Sequence, residues 1–273
     1  MFQTKVHRNK TSSLFSLLAV MYHTIVYNLR SGHRNAVVGI LYEIARGMTL
    51  VLVFFAMFQL VGLRTSPLRG DYLLFIMSGV FIYMTHITAV STVTRAGNPT
   101  SSMNLHSPMN TIVAIVAAAM AVLYRQFWTI FVVLTVYHLA YQPITIQMPI
   151  QAMGMLIIAW FSGCAVGLLF LALTPWAPNI VPLIMQIYIR ANMIASGKMF
   201  VANTLPATMI AIFDWNPLFH AIDQARGFIF LHYTPMMTSL TYPIYLSLVL
   251  LVIGLMGEFY TRQHASISWF AGR

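Results

Sequence analysis

The sequence predicts an all-α polytopic membrane protein with six transmembrane helices, an amphipathic interface helix ahead of them, and a re-entrant helix pair between the fifth and sixth. Three observations lead there. Of the 273 residues, 59% are hydrophobic and 7% charged, with a mean hydropathy of +0.77; an ordinary soluble domain carries about 25% charged residues. Apolar stretches recur that reach the roughly 20 residues a helix needs to cross a ~30 Å hydrocarbon core. Between residues 199 and 232, finally, lie two apolar pieces, 201–213 and 217–230, hinged at Asp214-Trp215-Asn216-Pro217. Each is too short to cross and too apolar for a hydrated loop. Non-helical backbone at membrane depth must be satisfied by protein or by a water-filled cavity. The economical reading is a pair of short helices that dip into one leaflet and return over the mouth of something. A loop lying on the membrane is the plainer alternative.

Composition also bounds the partners. A formal charge of +10 would suggest nucleic acid for a soluble chain; in a membrane protein the basic residues read as topology signals and contacts with anionic lipids, with no nucleic acid involved. The lone cysteine, Cys164, sits in an apolar run, so no intramolecular disulfide forms.

Taken in order, residues 1–11 carry Lys5, Arg8 and Lys10 and read as a cytoplasmic tail. Over 13–30, Leu14, Leu17, Leu18, Met21, Ile25 and Leu29 fall at helical spacing against a mixed polar face, as in a helix lying along the membrane surface. An ordinary first span is the alternative. His23 and Thr24 interrupt this stretch and no small-residue cleavage site follows, so no signal peptide is expected. Residues 1–35 thus form a tail and interface helix, and 36–273 the transmembrane domain. The spans are expected at 36–62, 72–93, 109 to about 138, 150–173, 180–197 and 242–260, and the polar segment 94–108 returns the chain between the second and third. Glu43 and Arg46, three positions apart in the first span, share a face and can neutralise each other. With both termini inside, Lys5, Arg8, Lys10, Arg30, Arg34, Arg95, Arg262 and Arg273 gather on the cytoplasmic side, against Arg64, Arg69, Lys198 and Arg226 outside. Counting 199–232 as one span would put the C-terminus outside instead.

The segment Trp215-Asn216-Pro217-Leu218-Phe219-His220-Ala221-Ile222-Asp223-Gln224-Ala225-Arg226 resembles the N-P-L-x-x-x-x-[DE]-x-x-R signature between the last two membrane helices of ABC-2-type exporter permeases, in the branch exporting capsular and related surface polysaccharides. The likeness extends over most of the chain: the amphipathic N-terminal helix, Gly39-Ile40-Leu41-Tyr42 opening the first span, and a final helix with a short polar tail. It implies a permease of the bacterial inner membrane with both termini cytoplasmic. Two copies form a homodimer that pairs with two ABC ATPase subunits and moves a lipid-linked polysaccharide, handing it to periplasmic or outer-membrane export proteins. The re-entrant pair, with Trp215, Asn216, Pro217, Asp223 and Arg226, closes the exit as a lid. A short cytoplasmic helix around Met103, Asn104, Leu105 and His106 docks on the ATPase, beside the interface helix; a plain loop is the other reading of that segment. The first and fifth spans line the channel, which makes Arg190, Tyr188, Tyr42, Phe54 and Phe58 substrate candidates.

The residues themselves temper these roles. Charged groups in a span are functional candidates by default, and Arg190, central in the fifth, suits an anionic glycan better than Arg46, which has Glu43 beside it, or Arg125 in the third. Rings stack on sugars, yet span aromatics also serve as packing and interface anchors. His220, Asp223 and Arg226 share a helix face; an Asp223–Arg226 ion pair is favoured over a metal site, for which the ligands are too few. Ser196-Gly197-Lys198-Met199 lacks the rest of a phosphate-binding loop, so ATP hydrolysis belongs to a partner chain and this one is not expected to be an enzyme or to need a cofactor. Cargo could instead be a teichoic-type polymer, a lipid or a drug. An ion-coupled secondary transporter would want an unpaired midplane carboxylate and internal repeats, which are not seen. A membrane enzyme would want a catalytic constellation, whereas His86 and His138 stand alone on apolar helices.

Overall fold

The computed structural model describes residues 10–30, 36–60, 68, 71–96 and 111–264, and every regular element among them is helical. The helices are α1 (Lys10–Arg30), α2 (Ala36–Leu60), α3 (Tyr72–Ala96), α4 (Thr111–Ala140), α5 (Pro149–Leu173), α6 (Ile180–Ala195), α7 (Ala207–Phe213), α8 (Pro217–Ile229) and α9 (Tyr242–His264), with a 3-10 turn at Ala202–Thr204. Five of them, α2, α3, α4, α5 and α9, are long and apolar enough to cross a membrane. The chain is thus a helical, multi-pass membrane protein. α6 is also apolar but has 16 residues, a length of ~24 Å at about 1.5 Å per residue.

α3 is the hub. Its buried hydroxyls would be costly in a dry interior, and three of them are satisfied by their own helix: Ser78 donates to Phe75 O, Thr85 to Phe81 O and Thr94 to Val90 O, whereas Thr88 Oγ1 has no hydrogen-bond partner among the described residues. That leaves α3 free to be buried almost all round, from Leu74 to Val90. α5 lies closest to it. Gly163 and Gly167 form a small-residue stripe one turn apart, and a Cβ on them would stand 2.5 Å from His86 O and 2.8 Å from Val90 O. Only hydrogen fits there, as where membrane helices bring their backbones together. On the far side of α5, α9 packs along Leu168 and Ala172 through Gly254 and Gly257, and Thr261 donates to Ala172 O while accepting from Trp176 Nε1. α4 packs on α3 and α2, and α1 lies mainly against α4.

The short helices are set by local chemistry. The Asn216 side chain accepts the Leu218 N–H and Pro217 occupies the first turn, so α8 begins where a capping residue followed by proline dictates. The expected piece 201–213 resolves into the 3-10 turn and α7, separated by Leu205 and Pro206.

Candidate functional site

Between α6 and α7 the chain reverses through Gly197, whose φ of +72° lies in the left-handed region and whose missing Cβ leaves 2.6 Å to the Phe219 ring. The carbonyls of this irregular stretch need donors, and Arg226 of α8 supplies them. Its Nη1 donates to Gly197 O at 2.9 Å and Phe200 O at 2.6 Å, and Nη2 to Lys198 O at 2.6 Å. The guanidinium is fully buried and lies over the Phe75 ring at 4.1 Å. Burial lowers its pKa to about 10, which leaves it charged at neutral pH.

Asp223 does not form the expected ion pair with Arg226. Its Oδ1 accepts from Tyr233 Oη at 2.5 Å and the Ala202 N–H at 3.3 Å, and its Oδ2 from Thr238 Oγ1 at 2.8 Å. Burial and then the bond to Asp223 hold the Tyr233 phenol well above its usual range, so it remains the donor. His220 turns the other way: Nδ1 accepts the Ser239 N–H at 2.9 Å, while Nε2 lies 2.7 Å from Asp214 O and 3.2 Å from its carboxylate. The helix face was legible; its partners come from segments before and after α8. At the head of α8, Asn216 Nδ2 donates to Asn192 Oδ1 at 2.8 Å and to Ala195 O at 3.0 Å, fastening α8 to the end of α6. Trp215, beside it, is exposed, and its carbonyl accepts from Tyr242 Oη at 2.8 Å.

Below this clasp a cleft of about 540 Å³ separates α2 from α6, with α3 as its floor. Tyr42 and Arg46 of α2 line it, facing Tyr83 and Met84 of α3 and Ile189 and Met193 of α6. Glu43 holds Arg46 at 3.7 Å. Arg190 is next to Ile189 in sequence and is exposed. Phe54 is buried and forms, with Tyr83, a ring cage around Lys198 Nζ, at 4.7 and 3.5 Å from the two centroids. Lys198 is 2% exposed and its ammonium has no hydrogen-bond partner among the described residues. Two ring faces replace hydration there.

Tyr188 directs its hydroxyl inward, 2.8 Å from His86 Nε2. His86 Nδ1 lies 2.9 Å from Ser162 Oγ and 3.1 Å from Ala159 O, so this histidine does not stand alone: it joins α3, α5 and α6. Nor does His138, whose Nδ1 accepts the Ile144 N–H at 3.0 Å. Met103, Asn104, Leu105 and His106 lie outside the described residues, as does the side chain of Phe58. Sequence reasoning missed Asn192, Ser162 and the cage around Lys198. Tyr188 and Asn192 are four positions apart and so share a face of α6, a signal that was readable. Comparison with protein-family models gives no match to this chain, and comparison with curated proteins gives none either.

Proposed function

We propose that this chain is the membrane permease subunit of an ATP-driven exporter of the ABC-2 type, moving a surface polysaccharide, lipid-linked, across a bacterial cytoplasmic membrane. The observation that carries the reading is the clasp. Asn216 and Arg226, polar residues of the exporter-like signature, fasten α8 to the end of α6 and to the turn that follows it, and Asp223 fastens α8 to the loop behind it. In this reading α7 and α8 are a re-entrant lid, α6 is the fifth of six spans, and both termini are cytoplasmic. The cleft between α2 and α6 supports a path for cargo when two copies face each other, with Tyr42, Arg46 and Arg190 as the groups meeting an anionic glycan. Two ATPase chains drive opening through the 94–108 segment.

The test has two arms. The tagged protein should copurify with a Walker-motif ATPase, and polysaccharide should fail to reach the cell surface when that partner's ATP site is disabled. Trp215→Cys, in a Cys164→Ala background, should react with a thiol reagent confined to the cell exterior. Export that persists without the ATPase overturns the exporter reading; an unreactive Cys at 215 together with an exterior C-terminus overturns the lid.

A further inference from the structure

α2 is held to the bundle along one narrow stripe. Gly39, Glu43, Gly47, Val51 and Phe54 are its buried residues, each one turn from the next, and the other described side chains of the helix are half-buried or exposed. The end of the stripe is apolar, whereas its beginning offers glycine and a carboxylate. A Cβ on Gly47 would stand 3.6 Å from Phe81 Cε1 and from Thr129 Cγ2, and 3.9 Å from Met84 Sδ. Those are ordinary contact distances, so the place beside Thr129 has room for a group the size of a methyl. α3 runs against both neighbours: Tyr72 meets Phe55 of α2, Phe81 and Ile82 lie with Ile130 and Leu134 of α4, and Ala89 and Val93 with Ala119 and Val122. One turn along from Gly47, at the level of Glu43, therefore stand Thr88 of α3 and Gln126 of α4.

These side chains are buried at membrane depth, since α2, α3 and α4 are all long apolar spans and Gln126 lies in the middle of the 30-residue α4. Gln126 and Thr129 are each 1% exposed, and Thr88 and Glu43 are more than nine-tenths buried. Thr129 Oγ1, Thr88 Oγ1, Glu43 Oε2 and both amide atoms of Gln126 have no hydrogen-bond partner among the described residues; Arg46 reaches Glu43 Oε2 only at 3.7 Å. The threonines elsewhere on these spans behave differently. Thr85, Thr94 and Thr135 each donate to the carbonyl four residues back. A hydroxyl that forgoes that carbonyl inside a bilayer needs another partner.

We propose that the seam between α2, α3 and α4 is a binding site for ordered water, one molecule standing beside Gly47 and joining Thr129 and Gln126 to the carboxylate of Glu43. Size and hydrogen-bonding character select water. The occupant beside Gly47 is no larger than a methyl, and the seam needs a donor to Gln126 Oε1 and Glu43 Oε2 as well as an acceptor for Gln126 Nε2. A metal ion cannot accept from the amide nitrogen, and an acyl chain can neither donate nor accept. Five orphaned atoms call for about two waters, at about three bonds each. The first half of α2, which carries Tyr42 and Arg46 into the cleft, is then bridged to the bundle by water, and the second half is packed dry through Val51 and Phe54. The inference rests on how α2 is packed and not on what passes the cleft.

Two measurements on the full chain in detergent test the site. With threonine methyls labelled, the Thr129 methyl should show a nuclear Overhauser contact with water. The Thr85 methyl, fully buried beside a hydroxyl bonded to its own helix, should show none. Gly47→Ala puts a methyl where the water stands. It should abolish the Thr129 contact and lower the melting temperature by about 3 °C or more, although alanine is the better helix former. In a Gln126→Leu, Thr129→Val background the same substitution should cost at least threefold less, or become stabilising. A Gly47→Ala protein as stable as the wild type or more so, a loss undiminished in the apolar background, or no water contact at Thr129 overturns the proposal. None of these readouts involves an ATPase or a cargo, so the exporter reading stands or falls separately.

Discussion

Asn216 Nδ2 lies 2.8 Å from Asn192 Oδ1, and through this bond the capping residue of α8 is also the anchor of α6. One side chain thus does two jobs, since its own Oδ1 accepts the Leu218 N–H at 3.0 Å. Asn216→Ala should remove a cap worth about 1 kcal/mol and leave the buried Asn192 amide oxygen without its donor, at about 1–3 kcal/mol more. Denaturant unfolding in detergent should show a loss of about 2–4 kcal/mol. Asp at 216 keeps the cap but cannot donate, so Asn216→Asp should also be destabilised. A double-mutant cycle with Asn192→Ala that shows no coupling would sink the claim that the two residues act together.

Arg226 satisfies three carbonyl oxygens of the stretch that carries the positive-φ Gly197. A lysine keeps the charge but concentrates its donors on one nitrogen and loses the planar stack on Phe75. Arg226→Lys should therefore cost about 2–4 kcal/mol, from one or two orphaned buried acceptors. Limited proteolysis between residues 197 and 206 should be faster in the variant than in the wild type. Equal rates in the two would place the support for these carbonyls elsewhere.

The long helices were readable because apolar runs in a membrane protein have one backbone solution, and the observed ends of α2 to α5 lie within a few residues of those expected. The start of α8 was readable because Asn216-Pro217 encodes a cap and a first turn. What was hidden is what lies opposite. Helical spacing puts Asp223 and Arg226 on one face, but it says nothing of the loop residues Tyr233 and Thr238 that take the carboxylate, or of the turn carbonyls that take the guanidinium. His86 looked isolated because Ser162 and Tyr188 are 76 and 102 residues away in sequence.

Lys198, which follows α6, titrates in a window that can be measured. Burial pushes its pKa from 10.5 down to about 7. Between those values the unfolded chain holds a proton that the folded chain has released, so stability rises with pH across that interval. The melting temperature in detergent should climb from pH 7 to about pH 9.5, below the range where tyrosines ionise. Lys198→Met should flatten the climb; a slope as steep in the variant would show that other groups produce it.

The α3–α5 contact has room for hydrogen alone at Gly163, where a Cβ would meet His86 O at 2.5 Å. Backbone cannot yield as a flexible side chain can, so Gly163→Ala should force the helices apart, at the roughly 1–3 kcal/mol typical of overpacking. Gly154, on the same helix, has open space around it, with nothing within 4 Å of where a Cβ would stand. Gly154→Ala should be neutral or slightly stabilising, since alanine is the better helix former by about 1 kcal/mol. Comparing the two melting curves separates contact from helix propensity.

Tyr188 and Tyr42, both expected from sequence to face cargo, should differ in what their loss does. Tyr188 bonds the buried His86, whereas Tyr42 borders the open cleft. Tyr188→Phe removes only a hydroxyl and strands His86 Nε2, at a cost of about 0.6–1.7 kcal/mol, the range found for side-chain bonds between membrane helices. Tyr42→Ala removes an exposed ring and should leave the melting temperature within about 1 °C, because exposed substitutions usually change stability by less than about 0.5 kcal/mol. If the cleft carries cargo, Tyr42→Ala should lower export while Tyr188→Phe lowers stability. Surface polysaccharide should then be quantified against the amount of folded protein in the membrane. Loss of export per folded molecule in Tyr188→Phe but not in Tyr42→Ala would place the path on the other side of α6.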